Sequence, residues 1–247
     1  MKGRRVLITG GTRGIGRALS LRFARAGASV VANYARDTES AGRLEAEAAS
    51  EGLTIELCRA DITGKRGLEK LGEFLRSGGS ELATLIHCAA TGVHRPLEEL
   101  TTRHFDWTLA LNARAFFELV QRLIPVFSAG ANVLAVSSRG ATRAEPCYTL
   151  VGASKGALES LARHMAAELA PRGIRVNILS PGSVKTDSWD VLPDGERRLA
   201  EAVARAPIGR LVSLDEVAAA ALFLCSDAAA GIVGQTLRVD GGTSIIA

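Results

Sequence analysis

Cysteine is scarce in this sequence, and its few copies form no pattern that would hold a metal or a disulfide scaffold. Cys58, Cys88, Cys147 and Cys225 are widely spaced over 247 residues, whereas secreted disulfide scaffolds are short and dense in cysteine. No His, Cys and carboxylate residues share the spacing of a metal site either. We therefore expect reduced core thiols, no bound metal and a cytoplasmic location.

Long apolar runs and blocks of like charge are also missing. The longest apolar run, residues 217–225, is too short for a membrane-spanning helix, and Met1-Lys-Gly-Arg-Arg leads into a strand pattern without a signal segment. The formal net charge is only +4, with basic residues scattered between acidic ones, which argues against nucleic-acid binding. We expect no membrane and no nucleic-acid partner.

What the sequence does contain is a rhythm of short Val, Leu and Ile runs alternating with longer Ala-rich and charged stretches. This rhythm is typical of repeated βαβ units around a parallel sheet. It predicts seven strands, at residues 5–9, 29–33, 54–59, 84–88, 132–137, 175–179 and 236–239. Helical periodicity is clearest at 15–26, 38–50, 102–127, 151–169 and 214–224.

No linker, repeat or low-complexity tract interrupts this pattern. We therefore expect a single α/β domain over residues 1–247, a Rossmann-type, doubly wound, seven-stranded parallel sheet with helices on both faces. Residues 183–210 carry Pro193, Gly195 and Pro207 around a short charged helix. This segment, which we call the flap, is predicted to be mobile and to cover a substrate cleft.

A glycine-rich loop follows the first predicted strand, with the sequence Thr9-Gly10-Gly11-Thr12-Arg13-Gly14-Ile15-Gly16. Glycines let the backbone turn tightly and approach a pyrophosphate, which the amides at a helix N-terminus stabilise. Its position between a strand and a helix favours a nicotinamide dinucleotide over a purely structural turn. The expected contacts are Gly10, Thr12, Arg13, Gly14, Ile15 and Gly16.

The residues after the second predicted strand bear on which dinucleotide is bound. An acidic residue at its end would bind the ribose 2′-hydroxyl of NAD, but this strand ends Asn33-Tyr-Ala-Arg36, with no carboxylate before Asp37. Arg13 and Arg36 could pair with a 2′-phosphate, so we predict NADPH, with solvated surface arginines as the alternative. Asp61 is a candidate partner of the adenine amino group or, equally, the N-cap of the next helix.

At this point the chain resembles the short-chain dehydrogenase/reductase family over nearly its full length. The matching pieces are residues 9–16, Asp61, Asn112 in Leu-Asn-Ala-Arg, Ser138, Lys155 in Ala-Ser-Lys-Gly-Ala-Leu, Pro181-Gly182 and the closing Val239-Asp-Gly-Gly. The resemblance implies further cofactor contacts at Ile62, Ala89, Lys155, Pro181, Gly182 and Val184. It also implies that Ser138, a tyrosine, Lys155 and Asn112 form the catalytic site.

The tyrosine departs from the family pattern. The family places it four residues before the lysine, where this chain has Val151, whereas Tyr148 stands seven residues before Lys155. Offsets of four and seven return close to the same helix face, so we expect Tyr148 and Lys155 to reach one cleft. A displaced phenol suits reduction of an α,β-unsaturated thioester, because hydride goes to the β-carbon while negative charge develops on the carbonyl oxygen.

The Tyr148-x6-Lys155 spacing, with residues 33–36, 106–108 and 234–236, resembles the NADPH-dependent type III enoyl-acyl-carrier-protein reductases. This resemblance implies an acyl thioester substrate of fatty-acid metabolism, with acyl carrier protein as one carrier, and a homotetramer. It implies that Lys155 holds the nicotinamide ribose and lowers the phenol pKa of Tyr148. Ser138 would orient the carbonyl or cap its loop, Asn112 would hold a relay water or satisfy helix carbonyls, and Tyr148 could instead line a turn.

Other departures leave two alternative functions open. The chain has His87-Cys88-Ala89-Ala90 where the family usually has Asn-Asn-Ala-Gly, which predicts weaker cofactor binding on an intact fold. His87 is expected to be a buried core histidine, and His94, His104 and His164 to lie at the surface or the cleft edge. One alternative is a 3-oxoacyl or other carbonyl reductase. The other is a non-catalytic nucleotide-binding homologue.

Overall fold

Seven parallel strands form one sheet in the computed structural model, which describes residues 1–79, 81–185 and 195–246. The strands are β1 (Arg5–Thr9), β2 (Ser29–Tyr34), β3 (Ile55–Arg59), β4 (Leu82–His87), β5 (Phe127–Val136), β6 (Arg175–Pro181) and β7 (Thr236–Val239). Their order is β3-β2-β1-β4-β5-β6-β7. The order reverses between β1 and β4, which opens a crevice at the carboxyl ends of these strands. The predicted Rossmann-type fold is confirmed.

Helices cover both faces of this sheet. They are α1 (Gly14–Arg25), α2 (Thr38–Ser50), α3 (Lys65–Ser77), α4 (Thr102–Leu109), α5 (Ala115–Leu123), α6 (Thr149–Leu169), α7 (Gly195–Arg205) and α8 (Leu214–Leu224). Because successive strand residues point to opposite faces, Leu7 packs into the core under α3, α5 and α6, while Ile8 packs under α1 and α8. Packing of these two cores fixes the position of the carboxyl ends of the strands, where the candidate site residues lie.

The predicted helix over 102–127 is wrong at its C-terminal end. The structure has α4, one π-helical turn (Ala110–Arg114), α5, and a 3₁₀ turn (Ile124–Val126), and β5 already begins at Phe127. Pro125 lies in that 3₁₀ turn. Since proline lacks an amide hydrogen and clashes with the preceding turn, it ends the helix there. The short apolar segments on both sides of Pro125 do not distinguish helix from strand by periodicity.

Several other boundaries also differ from the predictions. β4 starts at Leu82 and stops before Cys88, β6 continues to Pro181, and α3 was not singled out from the sequence. In the flap, the predicted charged helix is α7, and Val184 forms a parallel bridge with Val212. Pro193 lies outside the described residues. The mobility of the flap and the single-domain organisation stay predictions.

The sequence predicts neither a membrane-spanning helix nor a metal site. Among the described residues, no helix is long and apolar enough to cross a membrane. Within the same ranges, no group of three or more His, Cys, Asp and Glu side chains is placed to hold a metal ion. All four cysteines are free thiols, of which Cys58 and Cys225 are buried and Cys88 and Cys147 half-buried.

Candidate active site

The glycine-rich loop joins β1 to α1 through backbone geometry that side chains would block. Gly10 and Gly14 have φ of +64° and +52°, in the left-handed region. A Cβ added to Gly10 would lie 2.8 Å from Ala89 Cα, and one added to Gly16 would lie 1.9 Å from the Gly10 carbonyl oxygen. Arg13, the N-cap residue of α1, makes no side-chain capping hydrogen bond. The loop and the helix amides therefore fit a dinucleotide pyrophosphate.

Gly16→Ala tests this packing. We expect the substitution to lower the free energy of unfolding by about 1–3 kcal/mol because the added methyl overlaps a backbone carbonyl, and to weaken dinucleotide binding. Gly42→Ala is the matched control, since Gly42 is an exposed residue of α2 with nothing within 4 Å of the added Cβ. It should raise stability by up to about 1 kcal/mol through helix propensity. Equal urea midpoints for the Gly16→Ala variant and the original chain would show that the loop is not closely packed.

Charged residues cluster near the ends of β2 and β3. The Asp37 side chain accepts from the Ser40 amide at 2.9 Å, and this bond, with help from Arg13, lowers its pKa. The Asp61 carboxylate accepts from the Thr63 hydroxyl at 2.7 Å and amide at 3.0 Å, which lowers its pKa, with a smaller contribution from Arg36.

Arg13 and Arg36 are both exposed beside these carboxylates. Gly64, not Asp61, is the N-cap of α3, so the N-cap alternative for Asp61 is wrong.

The remaining predicted cofactor contacts lie at the same carboxyl edge of the sheet. The Ala89 amide donates to Thr9 Oγ1 at 3.2 Å, and Ile62 is buried just after β3. Pro181 ends β6, and the Gly182 amide donates to the Val239 carbonyl at 2.9 Å. Val184 is buried beside Val212. The structure brings these positions to one crevice, which is where a doubly wound sheet binds ligands.

Ser138 and Tyr148 are brought into direct contact. Ser138 follows β5, and Tyr148 is the residue immediately before α6. The Tyr148 hydroxyl donates to Ser138 Oγ at 3.2 Å. The phenol ring lies against Gly140, where an added Cβ would be 2.4 Å from Tyr148 Cε1.

Val151 occupies the position where the family has its tyrosine, and it packs closely against the loop after β4. Its side chain is 5% exposed, and a Cβ on Gly92 would lie 2.1 Å from Val151 Cγ2. An aromatic ring is larger than this isopropyl group and would overlap the loop after β4. The phenol of this chain belongs instead to Tyr148, about one helical turn before Val151 in the sequence.

Lys155 is buried next to β5. Its ammonium donates to the Val136 carbonyl at 2.8 Å. Burial lowers the Lys155 pKa to about 8, although Cys88 and Glu159 act in the opposite direction. The side chain is therefore largely an ammonium group at neutral pH, held by a backbone carbonyl at the end of β5.

The phenol pKa of Tyr148 is raised, not lowered. Burial disfavours the phenolate and is the largest cause, the Ser138 hydrogen bond acts in the opposite direction, and the negative charge of Glu145 raises the pKa further. The lowering by Lys155 that the resemblance implied is therefore wrong for this structure. The Lys155 ammonium points to Val136 instead, and Tyr148 is a neutral hydrogen-bond donor.

Asn112 is fully buried in the π-helical turn. Its amide nitrogen donates to the Thr91 carbonyl and to Ser154 Oγ, and its oxygen accepts from the Thr91 amide, each at 2.8 Å. The side chain ties the loop after β4 to α6, beside Lys155. This geometry is that of a satisfied buried asparagine, with a loop and a hydroxyl as partners rather than helix carbonyls. The relay role stays a prediction.

Two histidines lie close to the site. His87 is fully buried, with Nδ1 3.0 Å from Thr9 Oγ1, and burial, followed by the charge of Lys155, lowers its pKa to about 3. It is a core histidine, as predicted. The His94 ring stacks on Tyr148, with the ring centroids 5.4 Å apart. Sequence reasoning placed His94 at the surface or the cleft edge and missed this contact, for which no local pattern gives a signal.

A dinucleotide crevice next to a Ser, Tyr and Lys constellation on a doubly wound sheet defines a nicotinamide-dependent oxidoreductase. Residues 10–244 match the family model described as Enoyl-(Acyl carrier protein) reductase. The chain belongs to the short-chain dehydrogenase/reductase family, and within it resembles the enoyl reductases.

Curated relatives of the chain act on different substrates. It is 35% identical over 243 residues to 1-cyclohexenylcarbonyl-CoA reductase of Streptomyces collinus, covering 98% of this chain and 87% of the relative. It is 33% identical to 7alpha-hydroxysteroid dehydrogenase of Escherichia coli strain K12, covering 98% and 94%. It is 30% identical to the enoyl-[acyl-carrier-protein] reductase [NADH] FabI of the same strain, covering 100% and 96%. The family is therefore clear, whereas the relatives differ in substrate.

Solved structures agree with the fold. The angucycline C-6 ketoreductase LanV with bound NADP superposes with a TM-score of 0.92 at 30% identity, covering 99% of this chain and 97% of that chain. A short-chain dehydrogenase/reductase from Serratia marcescens BCRC 10948 superposes with a TM-score of 0.91 at 29% identity, covering 98% of each. Since LanV was solved with NADP and FabI is named with NADH, the relatives also differ in coenzyme.

Proposed function

We propose that this chain is an NADPH-dependent reductase of the carbon–carbon double bond of an enoyl thioester. One observation carries the proposal: the Tyr148 hydroxyl contacts Ser138 at 3.2 Å from a position seven residues before Lys155. Val151 fills the usual tyrosine position with a packed apolar side chain. The acid is therefore displaced by one helical turn, as expected when the charged oxygen lies two carbons away from the carbon that is reduced.

Each candidate site residue has its own role in this reaction. Reduced nicotinamide, when bound, supplies the hydride to the β-carbon. Tyr148, whose raised pKa keeps the phenol protonated, donates first a hydrogen bond and then its proton to the thioester oxygen as negative charge develops there. The resulting enol tautomerises to the saturated thioester, which gains its α-carbon proton, and solvent returns a proton to Tyr148. Ser138 orients the same oxygen or the phenol. Lys155 binds the nicotinamide ribose and keeps the positive charge near the crevice.

The proposals for the substrate, the coenzyme and the oligomeric state each rest on a separate observation. The CoA thioester named for the 35% identical relative supports a thioester substrate here, with fatty-acid metabolism as its context and acyl carrier protein as one carrier. Exposed Arg13 and Arg36 support NADPH over NADH. Phe105, Trp107 and Phe117 of α4 and α5 are 48%, 47% and 42% exposed, which supports association into a homotetramer. A cytoplasmic location is part of the same proposal.

Carbonyl reduction is the second candidate. The 33% identical hydroxysteroid dehydrogenase and the 30% identical ketoreductase favour it, because a hydroxyl pair like Ser138 and Tyr148 can also protonate a ketone oxygen. The non-catalytic alternative rests on the departures from the family pattern at Val151 and at His87-Cys88; the contact between the Tyr148 and Ser138 hydroxyls supports an enzyme instead.

Parallel assays with crotonyl-CoA and acetoacetyl-CoA, each with NADPH, test the proposal. We expect kcat/KM for crotonyl-CoA to exceed that for acetoacetyl-CoA by about tenfold or more, because only the enolate oxygen of the first is placed for the displaced phenol. NADPH oxidation followed at its absorbance maximum measures both. The reverse preference would favour the carbonyl reductase, and no turnover of a wide substrate panel would favour the non-catalytic homologue.

A further inference from the structure

A cavity of about 270 Å³ lies beside the loop that carries Ser138 and Tyr148. Three arginines line it, Arg139, Arg143 and Arg205, together with Glu145, Thr243 and Ser244. Its walls come from the loop after β5, the C-terminus of α7 and the segment after β7. Residues far apart in the sequence therefore converge on one concave, basic site.

The charges around this cavity are not balanced. Arg139 pairs with Glu145, and Arg205 lies 3.4 Å from Glu201 on an exposed face of α7. Arg143 donates to the Ser244 carbonyl at 3.3 Å, and within the described ranges of the chain it forms no ion pair. Arg139 and Arg205 each have one carboxylate partner, and Arg143 leaves one positive charge in excess at the cavity. Guanidinium forks match the geometry of phosphate oxygens and bind them by charge-assisted hydrogen bonds.

The position of the cavity ties it to the substrate rather than to the dinucleotide. Arg139 directly follows Ser138, and Glu145 and Pro146 stand just before Tyr148. The dinucleotide phosphates belong to the glycine-rich loop between β1 and α1, whereas this cavity lies beyond β5 and β7. An enoyl chain is apolar and would not be held by arginines. The phosphates of a thioester substrate lie on its thiol carrier.

We propose that this cavity binds a phosphate group of the thiol carrier of the substrate, with Arg143 and Arg205 as its ligands. The proposal rests on the proposed function, because it takes the substrate to be a thioester. The shared chemistry is a phosphate on a pantetheine arm, which both coenzyme A and the prosthetic group of an acyl carrier protein possess. Binding there would hold the carbonyl against Ser138 and Tyr148.

Arg143→Gln tests the proposal through KM. With crotonyl-CoA we expect KM to rise about tenfold while kcat changes by less than about twofold, because one charge-assisted contact outside the reacting atoms is lost. The crotonyl thioester of N-acetylcysteamine lacks phosphate, so its KM should not change. Arg205→Gln should behave likewise. Arg172→Gln is the charge-matched control, since Arg172 is exposed just before β6, at the opposite edge of the sheet.

Two further experiments separate failure of the cavity proposal from failure of the proposed function. Crotonyl-pantetheine 4′-phosphate distinguishes the phosphates of coenzyme A: a KM effect of Arg143→Gln that persists with it assigns the pantetheine phosphate, and an effect confined to crotonyl-CoA assigns the nucleotide phosphates. Calorimetric titration with free coenzyme A needs no turnover. If Arg143→Gln abolishes coenzyme A binding while the original chain reduces no thioester, the phosphate site is supported and the proposed function is rejected. Equal KM changes for crotonyl-CoA and the N-acetylcysteamine thioester, or no change for either, would overturn the assignment of the cavity as a phosphate site.

Discussion

Tyr148→Phe is expected to lower kcat by about 10²- to 10⁴-fold, because it removes the hydroxyl that we propose as the proton donor to the developing oxyanion. The substitution deletes the hydroxyl that contacts Ser138 and keeps the ring. The ring's packing on Gly140 and its stack with His94 should therefore survive. Steady-state NADPH oxidation with crotonyl-CoA measures the loss.

The fold and the dinucleotide site should be unaffected by this change. NADPH affinity, followed by nicotinamide fluorescence, and the urea midpoint should match those of the original chain. Thr149→Ala is the matched control, because it removes an exposed hydroxyl from the next residue, at the start of α6, and kcat should then stay within about twofold. A Tyr148→Phe variant with the original kcat would exclude Tyr148 as the acid, whatever the substrate.

The sheet was predictable from the sequence because its signals are local. Short β-branched runs separated by helical stretches predict parallel strands, and the glycines of residues 9–16 predict the turn that φ values of +64° at Gly10 and +52° at Gly14 now explain. The boundary between α5 and β5 was not predictable in this way. Only the 3₁₀ turn around Pro125 separates helix and strand there, and apolar residues stand on both sides of it.

Sequence motifs predict candidate site residues but not their electrostatics. Motif spacing located Ser138, Tyr148 and Lys155, and the structure places the two hydroxyls 3.2 Å apart. The direction of the Tyr148 pKa depends on burial and on where the Lys155 ammonium points. Neither can be derived from spacing, because both depend on packing between distant segments. The His94 stack and the arginine cavity arise from the same long-range packing.

Replacing Arg13 and Arg36 together with Gln is expected to raise KM for NADPH by about 100-fold, the loss of roughly two charge-assisted contacts to phosphate. KM for NADH, which lacks the 2′-phosphate, should stay within about twofold of its original value. Both guanidinium groups are exposed and lie near Asp37 and Asp61. The two guanidinium groups together balance these two carboxylates, so each single variant, which keeps one guanidinium group, should show a smaller effect.

Salt gives this prediction a second readout. Exposed charges are screened at high ionic strength, so the original chain's KM for NADPH should rise with salt more steeply than that of the double variant. Arg22→Gln controls for lost charge, since Arg22 is an exposed residue in the last turn of α1, away from the loop. Parallel increases in KM for NADPH and NADH would mean that the arginines support the fold of the loop. The preference for the 2′-phosphate would then have to come from other residues.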